Sequence, residues 1–105
     1  MSNWSEVTKF YEIAASRVDT PYEEFGKNML ELIQYIRNDV SLGNLSPSTA
    51  MWTLLLSSAN KIQQSIHVTW EAGNFVVFMT HRQNERHERH IEEAINVIRD
   101  YVQQL

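Results

Sequence analysis

Trp4, Val7, Phe10, Tyr11, Ala14 and Val18 recur every three or four residues, the period of one face of an α-helix. They predict a first helix from about Ser2 to Val18. A second helix is expected to open at Thr20-Pro21-Tyr22-Glu23, where Thr at the N-cap, Pro at the first helical position and Glu at N3 form a capping-box pattern. Its stripe is Tyr22, Phe25, Met29, Leu32, Ile33, Ile36 and Val40, and Gly43-Asn44 supplies a stop signal. Ser46-Pro47 reads as another cap followed by Pro, so a third helix is expected with Met51, Leu54, Leu55, Ser58 and Ile62 facing inward and Trp52 on its flank. The last helix is expected from about Asn84 to Leu105, on the stripe Ile91, Ala94, Ile95, Ile98, Tyr101, Val102 and Leu105.

Residues 66–80 carry two patterns at once. Ile66, Val68 and Trp70 alternate with His67, Thr69 and Glu71, and Gly73-Asn74 separates them from Phe75-Val76-Val77-Phe78-Met79, as in a β-hairpin. Ile66, Trp70, Gly73, Val77 and Asn84 also fit a helical stripe, and five consecutive apolar residues suit a helix buried on all sides. The expected fold is therefore mainly α, an antiparallel bundle of about four helices in a single domain over residues 1–105. Residues 66–80 are either a short hairpin or an additional buried helix.

Composition narrows the function more than the fold. The chain has 105 residues and no cysteine, which removes disulfide scaffolds, thiolate zinc sites and cysteine nucleophiles. No apolar run approaches the roughly 20 residues that span a bilayer, and the N-terminus shows neither a basic nor an apolar signal region. A soluble, cytoplasmic protein with no membrane contact is expected. Nine basic residues against thirteen acidic ones give a net charge of −4, which suits direct contact with nucleic acid poorly.

One stretch looks chemical: His81-Arg82-Gln83-Asn84-Glu85-Arg86-His87-Glu88-Arg89-His90. His87 and His90 share a helix face at i,i+3, but no third ligand accompanies them, so no metal and no cofactor is expected. Arg82 and His87 are separated by four residues. That spacing resembles the Arg-x4–6-His signature of HEPN-domain ribonucleases, small all-helical proteins that often act as dimers with an antitoxin. Gln83 stands where that family prefers Asn, Asp or His. The resemblance implies His87 as general acid/base and Arg82 as stabiliser of phosphate charge. A packing role competes with it, since His87 and His90 flank the apolar stripe, one turn before Ile91 and Ala94. Arg at a helix start also opposes the macrodipole, which suggests that the segment serves a partner or continues an earlier helix.

Asp19, Glu23, Glu24 and Glu31 form an acidic run at the start of the second helix. It complements the macrodipole and equally offers a surface to a basic partner. Trp4, Trp52 and Trp70 are expected to pack in the core, and any of them left on the surface becomes an interface candidate. With no catalytic motif, the expected function is an acidic protein-binding module. The best fit is an immunity or antitoxin protein that neutralises a basic toxin such as a nuclease by masking its active site, through Asp19, Glu23, Glu24 and Glu31. The alternatives are a HEPN-like ribonuclease using Arg82 and His87, and a homo-oligomeric structural module.

Overall fold

The computed structural model describes residues 3–58, 61–80 and 87–104, with backbone alone at 61–63. Helix α1 spans Trp4–Ala15 and starts where the Asn3 side chain accepts a hydrogen bond from the Glu6 N–H (2.9 Å). Helix α2 spans Pro21–Asn38. The expected capping box does not form there: the Thr20 hydroxyl donates back to the Arg17 carbonyl (2.6 Å), and Pro21 dispenses with an amide that would need a partner. Both helices end before their sequence stripes do, leaving Val18 and Val40 exposed.

The middle of the chain overturns the expected helical bundle. Among the described residues, five segments build an antiparallel sheet: β1 Ser46–Ala50, β2 Thr53–Ser58, β3 Lys61–Glu71, β4 Asn74–Met79 and β5 His87–Arg89, in the spatial order 1-2-3-4-5. Helix α3, Ile91–Val102, closes the described chain. The third predicted helix is therefore the hairpin β1–β2. Pro47 sits on an edge strand, where its missing N–H is tolerated, and Leu54 and Leu56 point inward with Leu55 between them on the other face. Residues 66–80 are not a buried helix but fall in the hairpin β3–β4, which lies at the centre of the sheet. The last helix begins seven residues later than expected, because His87–Arg89 pairs with Phe75–Val77 as a strand. Arg89 is thus no helix-start residue; Glu92 and Glu93 occupy the first turn, as the macrodipole favours.

Register sorts the side chains into two faces. Leu54, Val68, Val77 and His87 form one row across β2 to β5, and Leu56, Ile66 and Met79 form the next. These rows, with Phe75, meet Val7 and Tyr11 of α1, Met29, Leu32, Ile33 and Ile36 of α2, and Ala94, Ile95, Ile98 and Tyr101 of α3 in one core. Each fully buried Leu or Ile contributes roughly 1.5–3 kcal/mol by leaving water. All three helices cover this face. On the opposite face, Leu55, His67 and Phe78 stand in register.

The two described hairpin turns each hold a non-glycine residue at positive φ. Glu71 pairs with Asn74 around Ala72 and Gly73, both at positive φ (51° and 86°), as a two-residue turn requires. Ala50 pairs with Thr53 around Met51 and Trp52, and Met51 itself takes a positive φ (56°). A left-handed conformation at a bulky side chain costs roughly 1–2 kcal/mol, and Met51 is 90% exposed, so nothing buried compensates. The turn carries an unfavourable residue at its tip and turns Trp52 back over the helices.

Candidate functional site

Trp52 is the centre of an aromatic cluster assembled from distant parts of the chain. Its ring lies 5.2 Å from that of Tyr22, 5.1 Å from Phe10 and 6.1 Å from Phe25, centroid to centroid. Tyr11 supports the arrangement from within. Its ring contacts Phe10 edge-on (5.1 Å) and Phe25 (5.8 Å), and its hydroxyl donates to the Trp52 carbonyl (3.1 Å). Tyr11 is fully buried, and burial pushes its phenol well above the usual tyrosine range, so it stays a donor. Each such ring pair is worth about 0.5–1.5 kcal/mol beyond the area it buries.

The cluster does not close on itself. An open pocket of about 360 Å³ lies against it, lined by Pro21, Tyr22, Phe25, Trp52, Thr69, Trp70 and Glu71. Tyr22 and Trp52 are 40% and 37% exposed, large values for rings in such a cluster. Helix α2 contributes its first two turns, the β1–β2 turn contributes Trp52, and the end of β3 contributes Trp70 and Glu71. Apolar surface with a few convergent polar groups is the usual make-up of a binding site.

Carboxylates gather at the same corner. Asp19, at positive φ (63°), directly precedes Thr20 and Pro21 at the start of α2, and Glu23 and Glu24 lie in its first turn. Glu23 is half-buried and stands 3.5 Å from Lys27; Glu24 is exposed. Glu31 is exposed two turns further along α2, set back from the pocket. Of the four acidic residues singled out from sequence, Asp19, Glu23 and Glu24 thus border the pocket end of α2 and Glu31 does not. The Arg17 guanidinium sits over the Tyr22 ring, 5.3 Å from its centroid.

The described part of the His/Arg stretch, residues 87–90, does not assemble with this corner. Arg82 lies outside the described residues, as do His81 and Arg86. His87 is in β5, not on a helix; its half-buried ring packs against Tyr101 of α3 at 5.8 Å. It stands three strands from β2. Among the described residues no group of three His, Cys, Asp or Glu could hold a metal ion, and no helix is long and apolar enough to cross a membrane.

A second pocket, about 350 Å³, opens between α2 and α3 beside Tyr35, Glu92, Ile95, Asn96 and Arg99. Its cation is already engaged: Arg99 donates from Nε and from a terminal nitrogen to Asp39 Oδ2 (2.9 and 2.6 Å) and from its other terminal nitrogen to Asn96 (2.9 Å). Hydrogen bonds from the Ser41 side chain and then from Arg99 hold the Asp39 carboxyl down at about 2. This pair fastens α3 to the loop after α2.

On the sheet face away from the helices, His67 stacks on Phe78 (4.7 Å, 16°). Its Nε2 is 3.0 Å from the Thr80 hydroxyl, which also lies 3.1 Å from the Ser65 carbonyl. Burial lowers the His67 pKa below its ordinary value near 6.5. The unfolded chain therefore takes up the proton first, and this group's contribution to stability is complete above about pH 6.5 and lost as the pH falls below it. Urea midpoints are expected to drop between pH 7.5 and 5.5, and His67→Phe is expected to flatten that drop. The Asp39 contribution is lost separately, as pH falls from about 4 towards 2.

The signals for the pocket were in the sequence as single residues: Trp52, expected on the flank of a helix, and Trp70-Glu71 before the Gly73 turn. Nothing local said that they meet. Comparison with family models, with curated proteins and with solved structures returns no match to this chain.

Proposed function

We propose that this chain is a protein-binding module that masks a basic partner, in the manner of an immunity or antitoxin protein covering a cationic nuclease. The observation that carries the reading is the open aromatic pocket of Tyr22, Trp52 and Trp70, built on the start of α2, the end of the helix where Asp19, Glu23 and Glu24 lie. Tyr and Trp are the residues that most often anchor interfaces, because they bury large rigid area at small entropic cost. Carboxylates around such an anchor accelerate encounter with a cationic surface and select against acidic ones. The net charge of −4 extends the same bias over the whole molecule. Met51, held exposed on a strained turn next to Trp52, adds an adaptable apolar contact at the rim.

The test is purification from the native host followed by kinetics with the basic protein that accompanies the chain. Reversing Asp19 and Glu24 to Lys is expected to slow association about tenfold or more at low salt and to flatten its salt dependence. The partner's nuclease activity should fall to background at one equivalent of this chain. Unchanged on-rates, or turnover of RNA by the purified chain alone, would end the proposal.

A further inference from the structure

We infer that Pro47 keeps this chain from pairing, strand against strand, with a second copy of itself along the outer edge of β1.

The two-residue turns fix which way each backbone group in the sheet points. Ala50 and Thr53 flank Met51 and Trp52, so they exchange two hydrogen bonds. Every second pair after them does the same, Ser48 with Leu55 and Ser46 with Ser57. Pro47 and Thr49 therefore direct their backbone groups away from β2. The same count from Glu71 and Asn74 places a bonded pair at Ser65 and Thr80, and the Thr80 N–H does donate to the Ser65 carbonyl (3.0 Å). Carried on through β4, the alternation leaves Glu88 as the outward residue of β5. Strands β1 and β5 are the two edges of the sheet.

These edges are closed in different ways. Strand β5 is three residues long and reads His-Glu-Arg, and the Arg89 guanidinium donates to the Glu88 carbonyl (2.9 Å), which occupies the outward acceptor. Strand β1, Ser-Pro-Ser-Thr-Ala, carries no charge to repel a neighbour. Ser46 and Ala50 are exposed, Ser48 and Thr49 half-buried, and among the described residues no backbone group bonds the outward side of Pro47 or Thr49. What this edge lacks is one donor. Proline has no N–H, and its Cδ stands where the hydrogen would be. Packing does not call for a proline here: the side chain is buried opposite Leu56, a position that a β-branched residue fills at least as well in a strand.

A second copy brings the same uncharged edge and meets it about a two-fold axis. Centred on Ser48, the antiparallel pair sets residue 47 of one copy opposite residue 49 of the other. Each Thr49 N–H then donates to the other copy's Pro47 carbonyl, but the two reciprocal bonds from residue 47 cannot form. Half of the four hydrogen bonds are lost, and each ring presses on a Thr49 carbonyl.

Sedimentation equilibrium of the wild type, Pro47→Val and the double variant Pro47→Val/Thr49→Pro tests this. Valine restores the N–H and keeps an apolar side chain in the core. Each restored bond is worth about fivefold in dissociation constant, so the two together tighten self-association about thirtyfold, before relief of the ring contact. At about 0.5 mM the wild type is expected to be monomeric and Pro47→Val dimeric. Thr49→Pro removes the other outward donor without touching a bond between β1 and β2, so the double variant is expected to return to monomer. Hydrogen exchange gives a readout that needs no variant. The wild-type Thr49 amide should exchange far faster than that of Ser48, which bonds to β2, and it should become protected in Pro47→Val as concentration rises.

A folded, monomeric Pro47→Val overturns the proposal. A dimer that survives Thr49→Pro does so too, because its contact then lies elsewhere. A wild-type Thr49 amide as protected as that of Ser48 overturns it whatever the variants do, since the edge would already be covered.

Discussion

Gly26→Ala is expected to lower the unfolding free energy by about 2–3 kcal/mol, although alanine is the better helix former. Gly26 is buried where α2 crosses α1. A Cβ there would collide with the Ala15 backbone nitrogen, lie 2.7 Å from the Tyr11 carbonyl oxygen and 2.8 Å from the Ala15 Cα. Those are main-chain atoms of a helix, and they cannot rotate aside. The two helices must separate, which loosens contacts along their whole crossing. The helix-propensity gain of about 1 kcal/mol acts in the other direction and is smaller. Gly26→Val, with two further methyl groups at the same place, should leave no folded population. Urea denaturation of the Ala variant checks the first statement and circular dichroism of the Val variant the second. A Gly26→Ala protein as stable as wild type would mean that α1 and α2 do not approach this closely.

Tyr11→Ala is expected to cost about 3–5 kcal/mol, the usual range for removing a large aromatic from a packed core. The ring is fully buried and touches both Phe10 and Phe25, so its removal leaves a cavity directly under the pocket floor. Tyr11→Phe separates packing from hydrogen bonding. It retains the ring and loses only the bond to the Trp52 carbonyl, a loss of about 1 kcal/mol. Because that bond ties α1 to the β1–β2 turn, the Phe variant should also broaden the Trp52 indole signal and weaken any ligand of the pocket more than it weakens the fold. Chemical denaturation and NMR of the two variants give both readouts. Equal stability of Tyr11→Phe and Tyr11→Ala would show that the hydrogen bond, not the ring, is what matters here.

These two sites differ in how visible they are along the chain. Tyr11 belongs to a stripe with Val7 and Ala14, and all three face the core. The same holds for Met29, Leu32, Ile33 and Ile36 in α2, and for Ala94, Ile95, Ile98 and Tyr101 in α3. Gly26 gives no comparable signal, because a glycine in a helical stripe looks like a weak position until a neighbouring backbone is placed against it. The middle of the chain misled for a different reason. Met51, Leu54, Leu55, Ser58 and Ile62 fit a helix period by spacing alone, yet Leu54 and Leu56 are the buried pair and Leu55 faces the other way. A short apolar run satisfies both periods, and Ser46-Pro47 serves an edge strand as readily as a helix start.

The acidic run was legible for the same reason that helices are: Asp19, Glu23 and Glu24 are neighbours in the chain and so remain neighbours in space. The aromatic pocket was not. Tyr22, Phe25, Trp52 and Trp70 come from a helix, a turn and a strand end, and only strand pairing places Trp70 near the others. A helix closes its hydrogen bonds within four residues, so its faces can be read from a short window of residues. A sheet closes them across long intervals, with Leu54 opposite Val68 and Val76 opposite Glu88, and the choice among pairings is made by the whole core at once. Charge, helix faces and the absence of thiol chemistry are therefore properties of the linear chain. The sheet, the single covered face and the ring-lined cavity exist only once distant segments have paired.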